Sequence, residues 1–551
     1  MPNTLVVINE DFSKMVVGRS GSLSYIVAAL QRGEDVFIHN LPENPAKGQA
    51  FPSDPTASVA AIHLYPKSTF AEELIAAYIS ENGKLVDVIE HELRARKAHE
   101  LMARKADKTY LYGIELAKVE KIKVAKLPKY SAKDQEQIAL VGIDNVVQRL
   151  EPMNAPFPPQ GTENFDGALE SMQAGLPGKK FNAPIGLCDK ENNKMNVQLK
   201  AMGKEEISTP TEEFKLNQDF AAALHSMFAK SVEMFPGNKP RIVLKPQYSA
   251  QSCGVCAIEI DDEKGMTLAD LKNRSIGELA QHQSYSFKSG LSNDAMLSND
   301  AMKEMTEILL YVQRLVTDPE KLATVAKSTA SEILRTEIQS SAAELYSEGI
   351  LAQPFLQGVK KGDIRANIVK DKNGNFVLHG YTYRASARAA DSTGFTTCYT
   401  TGAATSAPVE FLSKLEQENL KSVTTIFLEL LNTDPEYRTM YENSMEIGVD
   451  FVPVGDEKGS IVHGETNHTC PALGPISSAL KEAMRRVEHP EIKSEYDGGV
   501  DYAHHVLDAQ QAAQTRHSAK SPSATIAVAS TPLQFATGKA ADEQKGNGLF
   551  G

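Results

Sequence analysis

Strand-like and helix-like hydrophobic patterns alternate at the start of the chain. A short β-rich apolar run, TLVVINE, precedes a segment in which Leu23, Ile26, Val27 and Leu30 recur at helical spacing. Gly33 then interrupts the pattern, and VFIHNL follows as a second apolar run. This order predicts a β-α-β unit, the usual beginning of a parallel sheet.

A charged helical stretch follows between about residues 65 and 130. Its Lys, Arg and Glu residues predict a solvated face rather than a binding patch. Strand-like character returns in IALVGIDNVVQRLEP, and four prolines between residues 152 and 159 then break the chain. We therefore place a first domain at residues 1–160, with the helical stretch as an insertion.

The region 180–480 mixes strands with helices and predicts a second domain of α+β character. It includes a segment near 262–345 that we interpret as a helical insertion; the tandem LSNDAMLSNDAM within it has too few copies for a repeat architecture. Residues 481–551 form a C-terminal extension. From about residue 505 this extension is rich in Ala, Ser, Thr, Gln and Gly, so we expect it to be largely mobile.

Composition narrows the classes of function. The 551 residues, of which 41% are hydrophobic and 23% charged, are typical of a globular protein with two or three domains. The net charge of −13 argues against nonspecific binding to nucleic acid or to anionic membranes, which both require a positive surface potential. The sequence shows neither a long apolar run nor the features of a secretory signal, so we expect a cytoplasmic protein.

The five cysteines do not form a disulfide framework, although Cys253 and Cys256 make a C-x-x-C pair. The surrounding pattern predicts strand, loop and strand, whereas a redox motif requires a helix N-terminus that lowers the thiolate pKa. We interpret the pair as small residues of a loop and a strand, with a redox or zinc role as the alternative.

Two stretches carry residues suited to phosphate binding, although no Walker A motif is present. Lys245 ends the strand-like RIVLKP and precedes a loop of small and polar residues that can offer backbone N–H groups. Further on, the apolar ILAQPFL around Gln353 has the character of an adenine-pocket lining. The next segments predict a β-hairpin with Arg365 and Arg384 on its two strands, where they either clamp anionic oxygens or lie exposed.

Three oxygen-bearing side chains lie on two later strand-like segments. Asp450 is on the first segment, and Glu465 and Asn467 are on the second. Glu465 and Asn467 are two positions apart, so a strand places them on the same face. These side chains either converge on a hard cation such as Mg²⁺ or line solvated strand edges.

Taken together, these motifs resemble the ATP-grasp superfamily, most closely glutathione synthetases of the prokaryotic type. The residues that carry the resemblance are Ala352, Gln353, Phe355, Leu356, Gly362, Asp363 and Arg365; then Gly448, Val449, Asp450, Glu465 and Asn467; then Lys245, and Lys194 in LCDKENNKM. The resemblance implies a Rossmann-like N-terminal domain followed by an ATP-grasp fold. It further implies an ATP-dependent carboxylate–amine ligase that works through an acyl phosphate, acts on small amino-acid or peptide substrates and forms a homo-oligomer.

The resemblance also implies the roles of single residues. Asp450, Glu465 and Asn467 would hold Mg²⁺, or Mn²⁺ as a possibility. Lys194 and Lys245 would bind the α- and β-phosphates, Asp363 would lie near the ribose and phosphates, and Arg365 with Arg384 would neutralise the acyl phosphate. Adenine would be held by Gln353, Phe355 and Leu356.

Some features depart from the family pattern and leave the substrate open. QYSAQSCG follows Lys245 in place of a glycine-rich loop, and DSTGFTTCYTTGAATSAP replaces a later one, in which Gly394 and Gly402 would keep flexibility. A ligase for a protein acceptor and a nucleotide-binding regulator without turnover are therefore alternatives. His463 and His468 flank the Glu-x-Asn pair; beside hard oxygen ligands we interpret them as supporting or surface groups rather than zinc ligands.

Overall fold

The structure is a computed structural model. It describes residues 2–8, 22–40, 62–65, 67–103, 143–149, 180–182, 199–200, 202–214, 220–238, 241–246, 256–260, 283–287, 350–386, 404–407, 409, 412–467, 479, 482–483, 485–487, 490 and 500–520. The strands within these residues form three five-stranded sheets, so the fold is mixed α/β with both parallel and antiparallel pairing.

The first sheet confirms the predicted β-α-β unit. Its strands are β1 (Asn3–Ile8), β2 (Asp35–Asn40), β3 (Ile62–Tyr65), β4 (Ile143–Arg149) and β5 (Lys180–Phe181). Their order is β3-β2-β1-β4-β5, with all neighbours parallel except β2 and β3. β5 thus belongs to the first sheet, although the predicted second domain begins at residue 180.

Helix α1 (Ser22–Gln31) connects β1 to β2 and is buried from Ser22 to Leu30. The helix ends before Gly33, whose φ of 79° allows the chain to turn back into β2. Burial of nearly every side chain means that α1 is enclosed between the first sheet and further helices.

The second sheet is antiparallel. Its strands are β6 (Glu212–Phe214), β7 (Arg241–Pro246), β8 (Cys256–Ile260), β9 (Gln283–Phe287) and β10 (Ile350–Pro354), in the order β6-β10-β7-β8-β9. Helix α3 (Phe220–Met234) packs against β6, β7 and β10. Residues 283–287, the part of the helical insertion expected near 262–345 that the structure describes, form β9 and not a helix: QSYSF places aromatic residues at alternate positions, which favours a strand, and pairs with β8.

The third sheet contains the predicted hairpin, which is confirmed as β11 and β12. Its strands are β11 (Gly362–Lys370), β12 (Phe376–Ser386), β13 (Ala404–Ala407), β14 (Glu446–Pro453) and β15 (Ile461–Asn467), in the antiparallel order β13-β12-β11-β14-β15. β13 lies within the segment expected to be a flexible loop, because Ala404–Ala407 pair with the end of β12.

Two helices cover one face of the third sheet: α4 (Lys414–Thr433) and α5 (Pro435–Met440). Ser413 and Glu416 form a capping box that satisfies N–H groups at the start of α4. Leu420, Val423 and Phe427 then recur at helical spacing and are buried against the sheet. The opposite face of the sheet is left for polar side chains.

A long helix, α2 (Lys67–Ala103), runs between the first and third sheets. Its Leu74 and Tyr78 pack into the core around α1, whereas Val86, Ile89 and Leu93 pack into the core of the third sheet. Most of the charged side chains described on α2 are exposed, as the predicted solvated face requires. The rest of the predicted helical stretch, beyond residue 103, lies outside the described residues.

The C-terminal extension contains a long helix, α6 (Val500–Lys520), which corrects the expectation that the chain is mobile from about residue 505. Val506, Leu507 and Ala509 are buried in the core formed with α1. Gln510 Nε2 also donates a hydrogen bond to the carbonyl of Val146 on β4. Among the helices that the structure describes, none combines the length and apolar character needed to cross a membrane.

Candidate nucleotide and metal site

The register of the third sheet brings five of the predicted site residues onto one face. Arg365 on β11 is opposite Asp450 on β14, and Asp450 is opposite Glu465 on β15. Asp363 and Asn467 lie two positions from Arg365 and Glu465, so they share that face. The intervening Ile364, Ala366, Val449 and Phe451 face the core under α4.

A β-bulge at Gly464 determines where Glu465 points. Asp450 pairs with Glu465, but the next residue, Phe451, pairs with His463. The extra residue moves Glu465 to the polar face while His463 stays on the core face. A Cβ at Gly464 would lie 2.7 Å from Cγ2 of Val452, so the bulge has little room for a side chain.

The carboxylate of Asp450 is held by two neighbours. Arg365 donates from Nε to Oδ1 at 2.7 Å and from Nη2 to Oδ2 at 2.8 Å, a bidentate pair in which both side chains are largely buried. Asn467 Nδ2 donates to Oδ2 at 3.1 Å. Asp450 is therefore fixed in orientation, and Asn467 presents a carbonyl oxygen on the same face.

Arg365 and Arg384, expected either to clamp anionic oxygens or to lie exposed, are diagonal neighbours on the two strands of the hairpin. Arg365 is opposite Thr382, and the backbone register places Arg384 opposite Asp363. Arg365 thus serves a carboxylate of the site, whereas the side chain of Arg384 lies outside the described part of the chain. Lys194 and His468 also lie outside the described residues.

Lys245 enters the site from the end of β7 in the second sheet and is half-buried. Burial lowers the pKa of its ammonium, while the charges of Glu465, Asp450 and Asp363, in that order, raise it; the net pKa is below its usual value. The same three carboxylates lie on the polar face of the third sheet. A cation from one sheet is thus close to the carboxylates of another.

The segment that precedes β6 holds the two sheets together. Ser208 forms a bridge with His463 of β15, and Thr209 Oγ1 donates to the His463 carbonyl at 2.6 Å. The imidazole of His463 is fully buried, lies 2.7 Å from Thr466 Oγ1 and stacks on Phe427. His463 is therefore a core residue, as opposed to a zinc ligand or a surface group.

The side chains predicted to hold adenine are enclosed by protein. Gln353 Nε2 donates to Thr211 Oγ1 at 2.9 Å, and both groups are buried. The Phe355 ring lies 4.1 Å from the guanidinium carbon of Arg241. Leu356 packs in a small apolar cluster with residues of β14 and β15 and with Phe235. All three side chains pack against other groups of the protein. Recognition of an adenine base by this segment would therefore fall to its backbone groups.

A close backbone contact, which we call the glycine clasp, joins the β10–β11 connection to the turn after β14. It consists of Gly358 and Gly455, with Gly358 N–H donating to the carbonyl of Val454 at 3.0 Å. A Cβ at Gly358 would lie 2.1 Å from the Pro453 carbonyl oxygen, and one at Gly455 would lie 2.4 Å from Gly358 N. The clasp fixes the predicted adenine segment relative to the strand that carries Asp450. The sequence analysis missed it; glycines in both connections were the available signal.

No protein-family model matches the chain, and neither does any curated protein sequence. Among solved structures, the biotin carboxylase domain dimer of 2-oxoglutarate carboxylase from Hydrogenobacter thermophilus, in complex with MgADP, ADP and bicarbonate, aligns at 12% identity and a TM-score of 0.36, covering 92% of this chain and 69% of that chain. N5-carboxyaminoimidazole synthetase from Staphylococcus aureus with ADP aligns at 8% identity and a TM-score of 0.32, covering 85% and 71%.

The ADP complex of an N5-carboxyaminoimidazole ribonucleotide synthetase aligns at 8% identity and a TM-score of 0.32, covering 94% of this chain and 98% of that chain. These neighbours are ATP-grasp enzymes.

Proposed function

We propose that this chain is an ATP-dependent carboxylate–amine ligase of the ATP-grasp type. The observation that carries the proposal is the convergence of Asp450, Glu465 and Asn467 on one sheet face, with Lys245 under the influence of the same carboxylates. This arrangement supplies oxygen ligands for a hard cation and a positive charge for phosphate. The order of the ATP-grasp motifs along the sequence supports the same assignment.

The donor set fits Mg²⁺, with Mn²⁺ as an alternative. Two carboxylates and an amide oxygen are hard ligands, and Mg²⁺ prefers such oxygens in a coordination sphere shared with substrate phosphates and water. When bound, the ion would neutralise charge on the β- and γ-phosphates of ATP. Asp450, Glu465 and Asn467 would hold it.

Other residues of the chain would bind and orient ATP. Lys245, together with Lys194, would pair with phosphate oxygens. Asp363, whose charge also acts on Lys245, would lie near the ribose and phosphate end. Backbone groups around Gln353 would read the adenine edge. Arg384, opposite Asp363 in the sheet, would neutralise charge on the transferring group.

We assign Arg365 a different role from the one its motif implies. Its guanidinium is engaged by both oxygens of Asp450. Arg365 would therefore orient a metal ligand and lower the cost of bringing several carboxylates together, because it supplies the opposite charge. Stabilisation of the acyl phosphate would then fall mainly to Arg384.

The reaction would proceed in two transfers. A substrate carboxylate oxygen attacks the γ-phosphorus of ATP, and the bond to the bridging oxygen breaks to release ADP and form an acyl phosphate. An amine then attacks the acyl carbon, phosphate leaves with the bonding electrons, and the amine loses a proton to give the amide. The substrates would be amino acids or a small peptide, as in glutathione synthetases, and the active form a homo-oligomer.

The proposal is tested by release of ADP and phosphate from MgATP in the presence of paired amino acids and of γ-glutamylcysteine with glycine. We expect release that depends on one substrate pair and falls by on the order of 10²-fold or more in Glu465→Gln, which removes a preorganised charge but keeps the shape. Glu457→Gln is the matched control, because Glu457 is exposed on the β14–β15 turn. Tight ATP binding without release for any small-molecule pair, or equal loss in both variants, would contradict the proposal.

A further inference from the structure

A cluster of metal-binding side chains lies away from the candidate nucleotide site. It consists of His379 on β12 with Asp501 and His505 on α6, and we call it the α6 triad. His379 Nε2 is 3.0 Å from Asp501 Oδ2, and His505 Nδ1 is 3.6 Å from Asp501 Oδ1. One ligand atom from each residue lies within 4.8 Å of the others. The triad is half-buried to exposed, so ions in solution can reach it.

His379 reaches the triad through an irregularity in its strand. Asn367 of β11 pairs with Gly380, but the next residue, Ile368, pairs with Leu378, which leaves His379 as the extra residue of a β-bulge. Bulges redirect a side chain relative to the regular strand pattern. The His379 ring contacts Tyr502 and His505 edge-on, with centroids 5.1 Å and 5.0 Å away, so it is directed towards α6.

On the helix, the other two residues are arranged in the manner of a ligand pair. Asp501 and His505 are four positions apart and therefore lie on one face of α6. His505 Nδ1 lies 2.8 Å from the backbone carbonyl of Asp501. Donation to that carbonyl places the proton on Nδ1 and leaves the lone pair of Nε2 for a metal, an arrangement typical of metal-binding histidines.

We propose that the α6 triad binds a divalent transition-metal ion of the Zn²⁺ type. Two imidazoles and one carboxylate suit Zn²⁺, Co²⁺ or Ni²⁺ much better than Mg²⁺, which prefers oxygen ligands alone. The ligand atoms of a tetrahedral zinc ion are roughly 3.3 Å apart, close to the 3.0 Å between His379 Nε2 and Asp501 Oδ2. Three protein ligands leave a fourth position for water or for another group.

Such an ion would connect two parts of the molecule. β12 belongs to the third sheet, whereas α6 packs with α1 and contacts β4 of the first sheet. A metal bound to both elements stabilises the docked position of α6, because it binds the folded arrangement and not the separated ligands. The site is independent of ATP and of the proposed ligase activity.

The experiment titrates the purified, metal-stripped full-length chain with Co²⁺ and Zn²⁺ in the presence of excess Mg²⁺. We expect about one equivalent of Co²⁺ to give the visible absorption of a low-coordinate nitrogen and oxygen site, and Zn²⁺ to displace it and raise the Tm. His505→Gln and His379→Gln should each weaken binding by about 10-fold or more and abolish the Tm shift. A far-ultraviolet circular dichroism spectrum of each variant checks that it is folded.

His504→Gln is the matched control, because His504 is adjacent on α6 but its Nε2 contacts Gln31 on α1 at 2.8 Å. We expect this variant to bind the metal as the original chain does. Equal weakening in His504→Gln would overturn the proposal. So would binding that survives in His505→Gln, or a thiolate-to-Co²⁺ charge-transfer band that is lost in Cys253→Ser/Cys256→Ser, since that would place the metal at the C-x-x-C pair.

Discussion

Lys245 shows how the charge state of a single residue can control the candidate site. Two opposing effects act on the pKa of its ammonium: burial disfavours the charged form, while the charges of Glu465, Asp450 and Asp363 favour it. The net effect lowers the pKa from its usual value of 10.5. Only the protonated form attracts phosphate, so the proposed binding of ATP would be coupled to proton binding at Lys245.

This coupling predicts that nucleotide affinity decreases at alkaline pH. As pH rises through the lowered pKa of Lys245, the free chain loses the proton and the Kd for a non-hydrolysable ATP analogue with Mg²⁺ should increase, beginning below pH 10.5. Lys245→Arg keeps the charge to higher pH, so its Kd should stay flat over the same range. Calorimetric titrations at pH 7 to about 10 compare the two; parallel curves would show that another group is responsible.

At the residue scale, much of the candidate site follows from spacing. Glu465 and Asn467 share a face because they are two apart on a strand, and Asp450 pairs directly with Glu465. What the sequence could not predict depends on partners far along the chain. Gln353 donates a hydrogen bond to Thr211, 142 residues away, so its amide nitrogen is engaged by the protein. Arg365 likewise contacts Asp450 only because β11 and β14 are neighbours in the sheet.

At the element scale, the glycine clasp determines how the β10–β11 connection meets the β14–β15 turn. The two backbones approach so closely that side chains are excluded at both positions. The contact is also made by a backbone hydrogen bond from Gly358 to Val454. The clasp thereby fixes the β10–β11 connection, which follows a strand of the second sheet, relative to β14 and β15 of the third sheet.

Gly358→Ala should therefore be strongly destabilising. Its Cβ would overlap the Pro453 carbonyl oxygen at 2.1 Å, and backbone cannot move aside as a flexible side chain can. We expect the free energy of unfolding in urea to fall by about 1–3 kcal/mol or more. Gly380→Ala on β12 is the control, since a Cβ there meets nothing within 4 Å. Similar midpoints for the two variants would argue against a clasp.

Elements with a clear local pattern are the ones that the sequence predicted. The β-α-β unit and the β11–β12 hairpin have apolar periods or a turn sequence of their own. Helix α6 was missed because its buried face includes Ala503, Ala509 and Gln510, which give little hydrophobic signal. These residues are small or polar because α6 lies close against α1 and hydrogen-bonds to β4. That face can be identified as buried only once α1 and β4, against which it packs, are known.

At the scale of the whole molecule, a buried polar cluster joins the first sheet to the third. Glu446, the first residue of β14, accepts hydrogen bonds from Tyr25 Oη on α1 and from Asn182 Nδ2 after β5, both at 2.5 Å. Burial and then the charge of Glu446 raise the pKa of Tyr502 on α6 well above its usual value. One carboxylate of the third sheet therefore interacts with three groups from the first-sheet side of the interface.

Glu446→Ala should loosen the first sheet from the third without unfolding either. It would remove the acceptor of the hydrogen bonds from Tyr25 and Asn182, at about 1–3 kcal/mol each. Because α1 and α6 are bound to the third sheet partly through this cluster, we expect their amides to exchange with deuterium faster, while those of β11 and β14 beyond the mutated residue change little. Hydrogen exchange with mass spectrometry resolves these segments.

Glu442→Ala, a change at an exposed position four residues earlier, should leave all of them unchanged. Faster exchange limited to the start of β14, with α1 and α6 as slow as before, would show that apolar packing alone joins the two sheets.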